Sequence, residues 1–238
     1  MTNALDSHVR SAVDAVVRDG QVAYLPVGSV EQHAAHLPLT TDSLIAELLT
    51  RRLASVHPGL VLPAVPVATS HEHQAWRGTV SVSSRTVSAY VEEIVRDLAR
   101  QNFRVAVVNC HGGNYWVKNV IQELNADGIR CVNYWDEYAY ERAFTAAGFT
   151  GTPSTDMHAG SIEYSLGLVG EFTIDTPPPS WTGDPVRRNF NAVGLQPFTP
   201  TGHIGTPAEG SADKGEKFLQ SLVSDFAPLY DFLTTNEL

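Results

Sequence analysis

Residues 104–114 read Arg-Val-Ala-Val-Val-Asn-Cys-His-Gly-Gly-Asn, and the next ten positions switch to a helical spacing of apolar groups. The run from Val105 to Val108 is apolar at every position rather than at alternate ones. That pattern suits a strand covered on both faces, as in a parallel sheet. At Asn109 the chain turns polar. Gly112 and Gly113 then allow a tight turn or a close approach to a ligand. Three further β-branched runs repeat the signature, at Val22 to Val27, Val61 to Val67 and Arg130 to Tyr134. Helical patterns lie between and after them. Asp42 to Val56 carries Leu44, Ile45, Leu48, Leu49 and Leu53, and Val87 to Gln101 carries Val91, Ile94, Val95 and Leu98. Tyr115 to Ala126 carries Trp116, Val120, Ile121 and Leu124. Strand alternating with helix predicts right-handed βαβ units and a three-layer α/β/α sandwich around a mostly parallel sheet. Further helices are expected over Asp136 to Ala147, Ser161 to Val169 and Asp213 to Leu233, and an amphipathic helix over residues 1–20.

The 238 residues suit one domain, with 43% hydrophobic residues to fill a core. The stretch from Thr176 to Gly210 holds seven of the fourteen prolines and cannot be regular helix. It reads as a long loop over a functional edge or a subunit contact. Acidic residues outnumber basic ones 26 to 16, a net charge of −10. This excludes a nucleic-acid partner, which needs Lys and Arg against phosphate, and disfavours an anionic membrane surface. No apolar run reaches membrane-spanning length, and the N-terminus lacks a signal-peptide pattern. The two cysteines, Cys110 and Cys131, read as reduced core thiols of a cytoplasmic protein. Adjacent strand residues face opposite ways, so His111 is poorly placed to activate Cys110 as a nucleophile.

Open α/β sheets hold ligands beyond the carboxyl ends of their strands, and the chemistry-bearing residues collect there. Gly28-Ser-Val-Glu31-Gln-His33-Ala-Ala-His36 through Asp42 follows the first strand. Thr69-Ser-His71-Glu-His73 follows the second, Asn109-Cys110-His111-Gly-Gly-Asn114 the third, and Tyr134-Trp135-Asp136 the fourth. Asp156-Met-His158-Ala-Gly-Ser-Ile-Glu163 comes later. Glu31 and His33 are two apart, so on an extended segment they share a face. Asp42 opens a helix that Thr40 or Thr41 could cap, and its two oxygens could bridge two cations. Imidazole with carboxylate and no paired thiolates suits Zn²⁺, Mn²⁺ or Fe²⁺. Shared ligands suggest two ions activating a water. The spacing of Gly112 and Gly113 matches no phosphate-binding loop.

These motifs resemble those of the creatininase (creatinine amidohydrolase) family. The matching pieces are Leu25-Pro-Val-Gly-Ser-Val-Glu31-Gln-His33, His36-Leu-Pro-Leu with Asp42, Arg77-Gly-Thr-Val-Ser, Asn109-Cys-His111-Gly-Gly-Asn114, and His158-Ala-Gly with Glu163. The resemblance implies a three-layer sandwich, often a hexamer, and metal-dependent hydrolysis of C–N bonds in creatinine, formamides or short peptides. It implies that Glu31, Asp42 and His111 hold one ion, that His33, Asp42 and Glu163 hold the second, and that His158 is the acid/base. The expected cofactors are two divalent ions per chain, zinc ahead of manganese or iron, and the expected substrate is a small amide. His73, Trp76 and Trp135 are candidate walls of the substrate pocket. Creatininase itself has a Glu where this chain has Gly113 and a stacking Trp where it has Ser154, so a lactam, formamide or peptide-like amide is expected in place of creatinine. The rival readings are a metal-dependent phosphoesterase or lactonase, and an inactive metal-binding homologue.

Overall fold

The computed structural model describes residues 21–235. The amphipathic helix expected over residues 1–20 lies outside the described residues. Four strands form one parallel sheet: β1 (Val22–Val27), β2 (Gly59–Val61), β3 (Arg104–Asn109) and β4 (Cys131–Tyr134), in the order β2-β1-β3-β4. All six residues of β1 are buried. It pairs along its whole length with β3, Val22 opposite Arg104 and Val27 opposite Asn109.

The helices are α1 (Thr41–Val56), α2 (Ser84–Arg100), α3 (Trp116–Ala126), α4 (Glu137–Ala146), α5 (Ser161–Val169), α6 (Phe190–Val193), α7 (Ala212–Asp225) and α8 (Ala227–Thr234). Strand alternation sorts them into two layers. Ala23, Leu25, Val105 and Val107 pack with Val87, Val91 and Val95 of α2 and with Val117, Val120 and Leu124 of α3. Val22, Tyr24, Ala106 and Val108 face the other way. They meet Ile45, Leu49 and Leu53 of α1, Ala143 of α4, Leu166 of α5 and Phe218 of α7. The result is the α/β/α sandwich that uninterrupted apolar strands require.

Two elements differ from the sequence expectation, both at prolines. The second strand was expected over Val61 to Val67 but ends at Val61. Pro63 and Pro66 carry no N–H for the ladder, and only an isolated Val27–Val65 bridge follows. The C-terminal helix is two helices meeting at Phe226, because Pro228 removes a donor and its ring crowds the preceding turn. The capping expectation at Asp42 also changes. Neither threonine caps α1 through its side chain, and Thr41 Oγ1 donates back to the Pro38 carbonyl at 2.6 Å.

From β1 the chain passes to β2 on one side, then crosses to β3 on the other. The carboxyl ends of β1 and β3 therefore flank the switch point of the sheet, where α/β folds open a crevice. The segment 176–210 crosses this end. Ile204 exchanges two backbone hydrogen bonds with His158, at 3.1 and 2.8 Å, and Gly205 bonds Trp181. Among the described residues no helix is long and apolar enough to cross a membrane.

Candidate metal centre

Asp42 is brought to the switch point by a glycine. A Cβ at Gly28 would collide with the Ser43 backbone, so only glycine lets the end of β1 run against the first turn of α1. Ser29 Oγ then donates to Asp42 Oδ2 at 2.6 Å. The other Asp42 oxygen, Oδ1, stands 3.3 Å from His33 Nε2, while Oδ2 stands 3.2 Å from His111 Nδ1. One carboxylate thus faces two imidazoles with two different oxygens.

The histidine tautomers follow from their carbonyl partners, which can only accept. His33 Nδ1 donates to the Glu31 carbonyl at 3.2 Å, so Nε2 is the atom offered to Asp42 and to Glu163 Oε2, 3.7 Å away. His111 Nε2 donates to the Thr69 carbonyl at 2.7 Å, which leaves Nδ1 for the cluster. Glu163 projects from the first turn of α5, and its Oε2 accepts the Ala159 N–H at 2.5 Å. Asp156 holds that turn by accepting from the N–H groups of Ser161, Ile162 and Thr206 and from Ser161 Oγ.

Glu31 lies at the centre and is 1% exposed. Its Oε1 is 3.2 Å from His73 Nε2 and 3.8 Å from His158 Nδ1, and its Oε2 is 3.2 Å from His111 Nε2. Yet neither oxygen, nor His33 Nε2, has a partner in hydrogen-bond geometry. Buried polar atoms are almost always satisfied, so three orphans around one point mark a place built for something else. A divalent cation is what such a set of carboxylate and imidazole donors accepts. Three groups are compact enough to hold an ion: Glu31 with Asp42 and His111, His33 with His158 and Glu163, and Glu31 with His73 and His158.

The charge states tell the same story. Burial disfavours the imidazolium of His33, but Asp42 and Glu163 outweigh it and hold the group well above its usual range. Burial acts likewise on His111, and Glu31 and Asp42 raise it to about 10. Burial would raise Asp42, but His33 and His111 carry it well below the usual carboxylate range. Burial raises Glu31 and pushes His158 far down, helped by His33 and His73. Without an ion, protons on His33 and His111 supply the positive charge that the acids require.

The sequence-predicted residues Glu31, His33, Asp42, His73, His111, His158 and Glu163 thus converge in one cluster. The two tryptophans stand apart from it. Trp135 packs on Tyr140 and Phe218 and lines a cavity of about 530 Å³ that also exposes His111, Gly112 and Glu163. Trp76 sits beside His73, ring centroids 6.4 Å apart, and neither residue is in that lining. His71 is exposed and takes no part. Burial pushes the Cys110 thiol well above its usual range, which agrees with a packing role. Two residues that sequence reasoning passed over belong here. Glu72 Oε1 lies 3.7 Å from His111 Nε2, in space that a side chain at position 113 would fill. Gln32 is buried between His73 and His158. The signal for Glu72 was its place between two histidines.

Comparisons with known proteins point to one family. The profile of the creatininase family, described as creatinine amidohydrolase, matches residues 9–230. A mycofactocin precursor peptide peptidase of Mycobacterium ulcerans is 29% identical over 216 residues, covering 84% of this chain and 81% of that one. Creatinine amidohydrolase of Pseudomonas putida is 27% identical over 234 residues, covering 87% of each chain. A solved creatininase structure described as the manganese form superposes with a TM-score of 0.76 at 23% identity, over 97% of this chain and 98% of that one.

Proposed function

The chain belongs to the creatininase family, and from that premise we propose that it is a metal-dependent amidohydrolase acting on a small linear amide, of the formamide or short-peptide type. One observation carries the reading: the buried oxygens of Glu31 and the Nε2 of His33 lack hydrogen-bond partners beside an Asp42 whose two oxygens face different imidazoles. Glu31, Asp42 and His111 would hold one divalent ion, and His33, Asp42 and Glu163 the other, with Asp42 shared. Zinc or manganese suits the donors. When bound, the ions supply Lewis acidity, polarising the amide carbonyl and lowering the pKa of a water from 15.7 toward 7.

The protein's own groups do the rest. His158 is neutral near pH 7 because burial holds its pKa down. Its Nε2 is bound to the Gln32 carbonyl at 2.7 Å, so Nδ1 is free to take the proton of the attacking water. The same Nδ1–H then passes that proton to the departing nitrogen. Glu163, tied to the Ala159 N–H, fixes the side of the site from which His158 works. Trp135 and Tyr140 give the cavity an apolar wall, and Met157 lines it as well.

A linear substrate is favoured over creatinine by Ser154, where creatininase has a stacking Trp, and by a cavity of about 530 Å³, larger than a single five-membered ring needs. A phosphoester is disfavoured by the rim. It carries Asp136, Glu137 and Glu141, and its one lysine, Lys118, is paired with Glu137 at 3.3 Å. Assembly as a homo-oligomer, a hexamer on family resemblance, is part of the same reading and is read out by light scattering. The test of the function is metal analysis with a substrate screen. Metal-replete protein should hold close to two divalent ions per chain and hydrolyse a formamide or short peptide, with turnover abolished by chelation. Protein that holds no ion, or that cleaves amides equally well with chelator, overturns the reading.

A further inference from the structure

Gln32 lies between the two cluster residues Glu31 and His33 and is 4% exposed. Its amide orientation is fixed, because Oε1 accepts the Ala34 backbone N–H at 2.9 Å. The amide nitrogen therefore points the other way, into three polar atoms. These are the Gly202 carbonyl at 2.9 Å, His73 Nδ1 at 2.9 Å and His158 Nε2 at 3.1 Å. It has two hydrogens for three neighbours, so one neighbour must be excluded. The Gly202 carbonyl can only accept and takes one. His158 Nε2 lies 2.7 Å from the Gln32 backbone carbonyl, which also can only accept. His158 Nε2 must then carry a proton of its own and cannot accept another. The second amide hydrogen is left for His73 Nδ1, which must be bare.

We propose that Gln32 is a positioning residue that locks His73 in the tautomer with its proton on Nε2, so that the His73 nitrogen nearest Glu31 keeps an N–H in place of a lone pair and does not serve as a metal ligand. His73 Nε2 is 3.2 Å from Glu31 Oε1, a contact outside hydrogen-bond geometry. An imidazole nitrogen bearing a proton has no lone pair for a cation. Of the three groups compact enough to hold an ion, Gln32 thereby disables the one made of Glu31, His73 and His158. Of the other two, Glu31 with Asp42 and His111 is the set assigned above to the first ion, and His33 with His158 and Glu163 shares His33 and Glu163 with the set assigned to the second. Gly202 makes the arrangement possible. A Cβ there would collide with the Gln32 side-chain oxygen, and its φ of +88° suits glycine.

Where it concerns ion binding, this proposal rests on the reading of the site given above; the tautomer assignment does not. The test is ¹⁵N NMR of the metal-loaded protein labelled at histidine, with the His73 signals identified by their loss in His73→Asn. The wild type should show His73 Nδ1 bare and Nε2 protonated. Gln32→Met keeps the volume and removes the amide, so the His73 nitrogens should shift toward a tautomer mixture. His158 should stay unchanged, because its partner is a backbone carbonyl that every substitution retains. His73→Asn should keep the wild-type metal content. A His73 proton on Nδ1 in the wild type overturns the proposal, with no variant required. So does a Gln32→Met spectrum with His73 unmoved, or the loss of an ion in His73→Asn. A wild type that binds no metal would instead sink the amidohydrolase reading, while the His73 spectrum would still decide the role of Gln32.

Discussion

At the scale of single residues, the proposed roles separate groups that would hold an ion from the one that would move a proton. Asp42 is the residue on which both halves depend, since each of its oxygens faces a different imidazole. Asp42→Ala should lower metal content toward zero and turnover by about 10³-fold or more, about 4 kcal/mol in the barrier; plasma emission spectroscopy and a rate assay check it. His158→Asn should behave otherwise, keeping both ions while the rate falls by about 10²–10⁴-fold. If it loses an ion, His158 is a ligand through the group it forms with His33 and Glu163. Glu72 offers a subtler case. Its carboxylate stands 3.7 Å from His111 Nε2, whose N–H goes to the Thr69 carbonyl, and its negative charge there favours a more basic imidazole. Glu72→Gln should weaken the ion on His111 by roughly tenfold in a competition with chelator. An unchanged affinity would leave Glu72 with no part in binding.

At the scale of elements, the site depends on how helices begin. Asp156 accepts four hydrogen bonds at the start of α5 while 4% exposed, and Glu163 sits one turn further on. Asp156→Ala leaves three N–H groups without their acceptor. It should cost about 3 kcal/mol, or roughly 6–12 °C in melting temperature for a chain of this size. Metal affinity should fall with it, because Glu163 loses its platform. Melting without any change in affinity would show that α5 holds its place by packing alone. The elements also explain what could be read in advance. Buried apolar runs gave β1 and β3 with their bounds, and the period of Val87, Val91, Val95 and Leu98 gave α2, because both signals are local. In the second strand and the C-terminal helix the apolar pattern runs on past the point where Pro63, Pro66 and Pro228 interrupt the hydrogen-bond ladders. The cluster itself was legible as motifs after strands, since the sheet forces those ends together. Gln32 and Glu72 were not. Gln32 reaches partners 41, 126 and 170 positions away, and no spacing rule connects them.

At the scale of the whole molecule, stability and metal binding should be linked through pH, so that the ion-free and ion-loaded protein diverge as pH rises. In the folded, ion-free chain His111 holds its proton up to about 10, and His33 holds one well above the usual range. In the unfolded chain both titrate near 6.5. Below about 6.5 the two states carry the same protons on these groups, and the stabilisation is fully present. From about 6.5 to 10 the folded state keeps protons that the unfolded state has released, so stability falls as pH rises. Asp42 acts at the other end: its depressed pKa contributes above about 3.9, its unfolded value, and is lost as acid protonates it. A cation bound there would replace the protons on His33 and His111, so binding should release protons and tighten as pH rises. The stabilisation by bound metal grows with that affinity. Calorimetric melting of chelated and metal-saturated protein between pH 6 and pH 9 should therefore give two diverging curves. The chelated form should melt lower as pH increases, and the gap to the loaded form should widen. Parallel curves would mean that the histidines are neutral in the ion-free site, and that the acids around Glu31 are balanced by something other than the protons of His33 and His111.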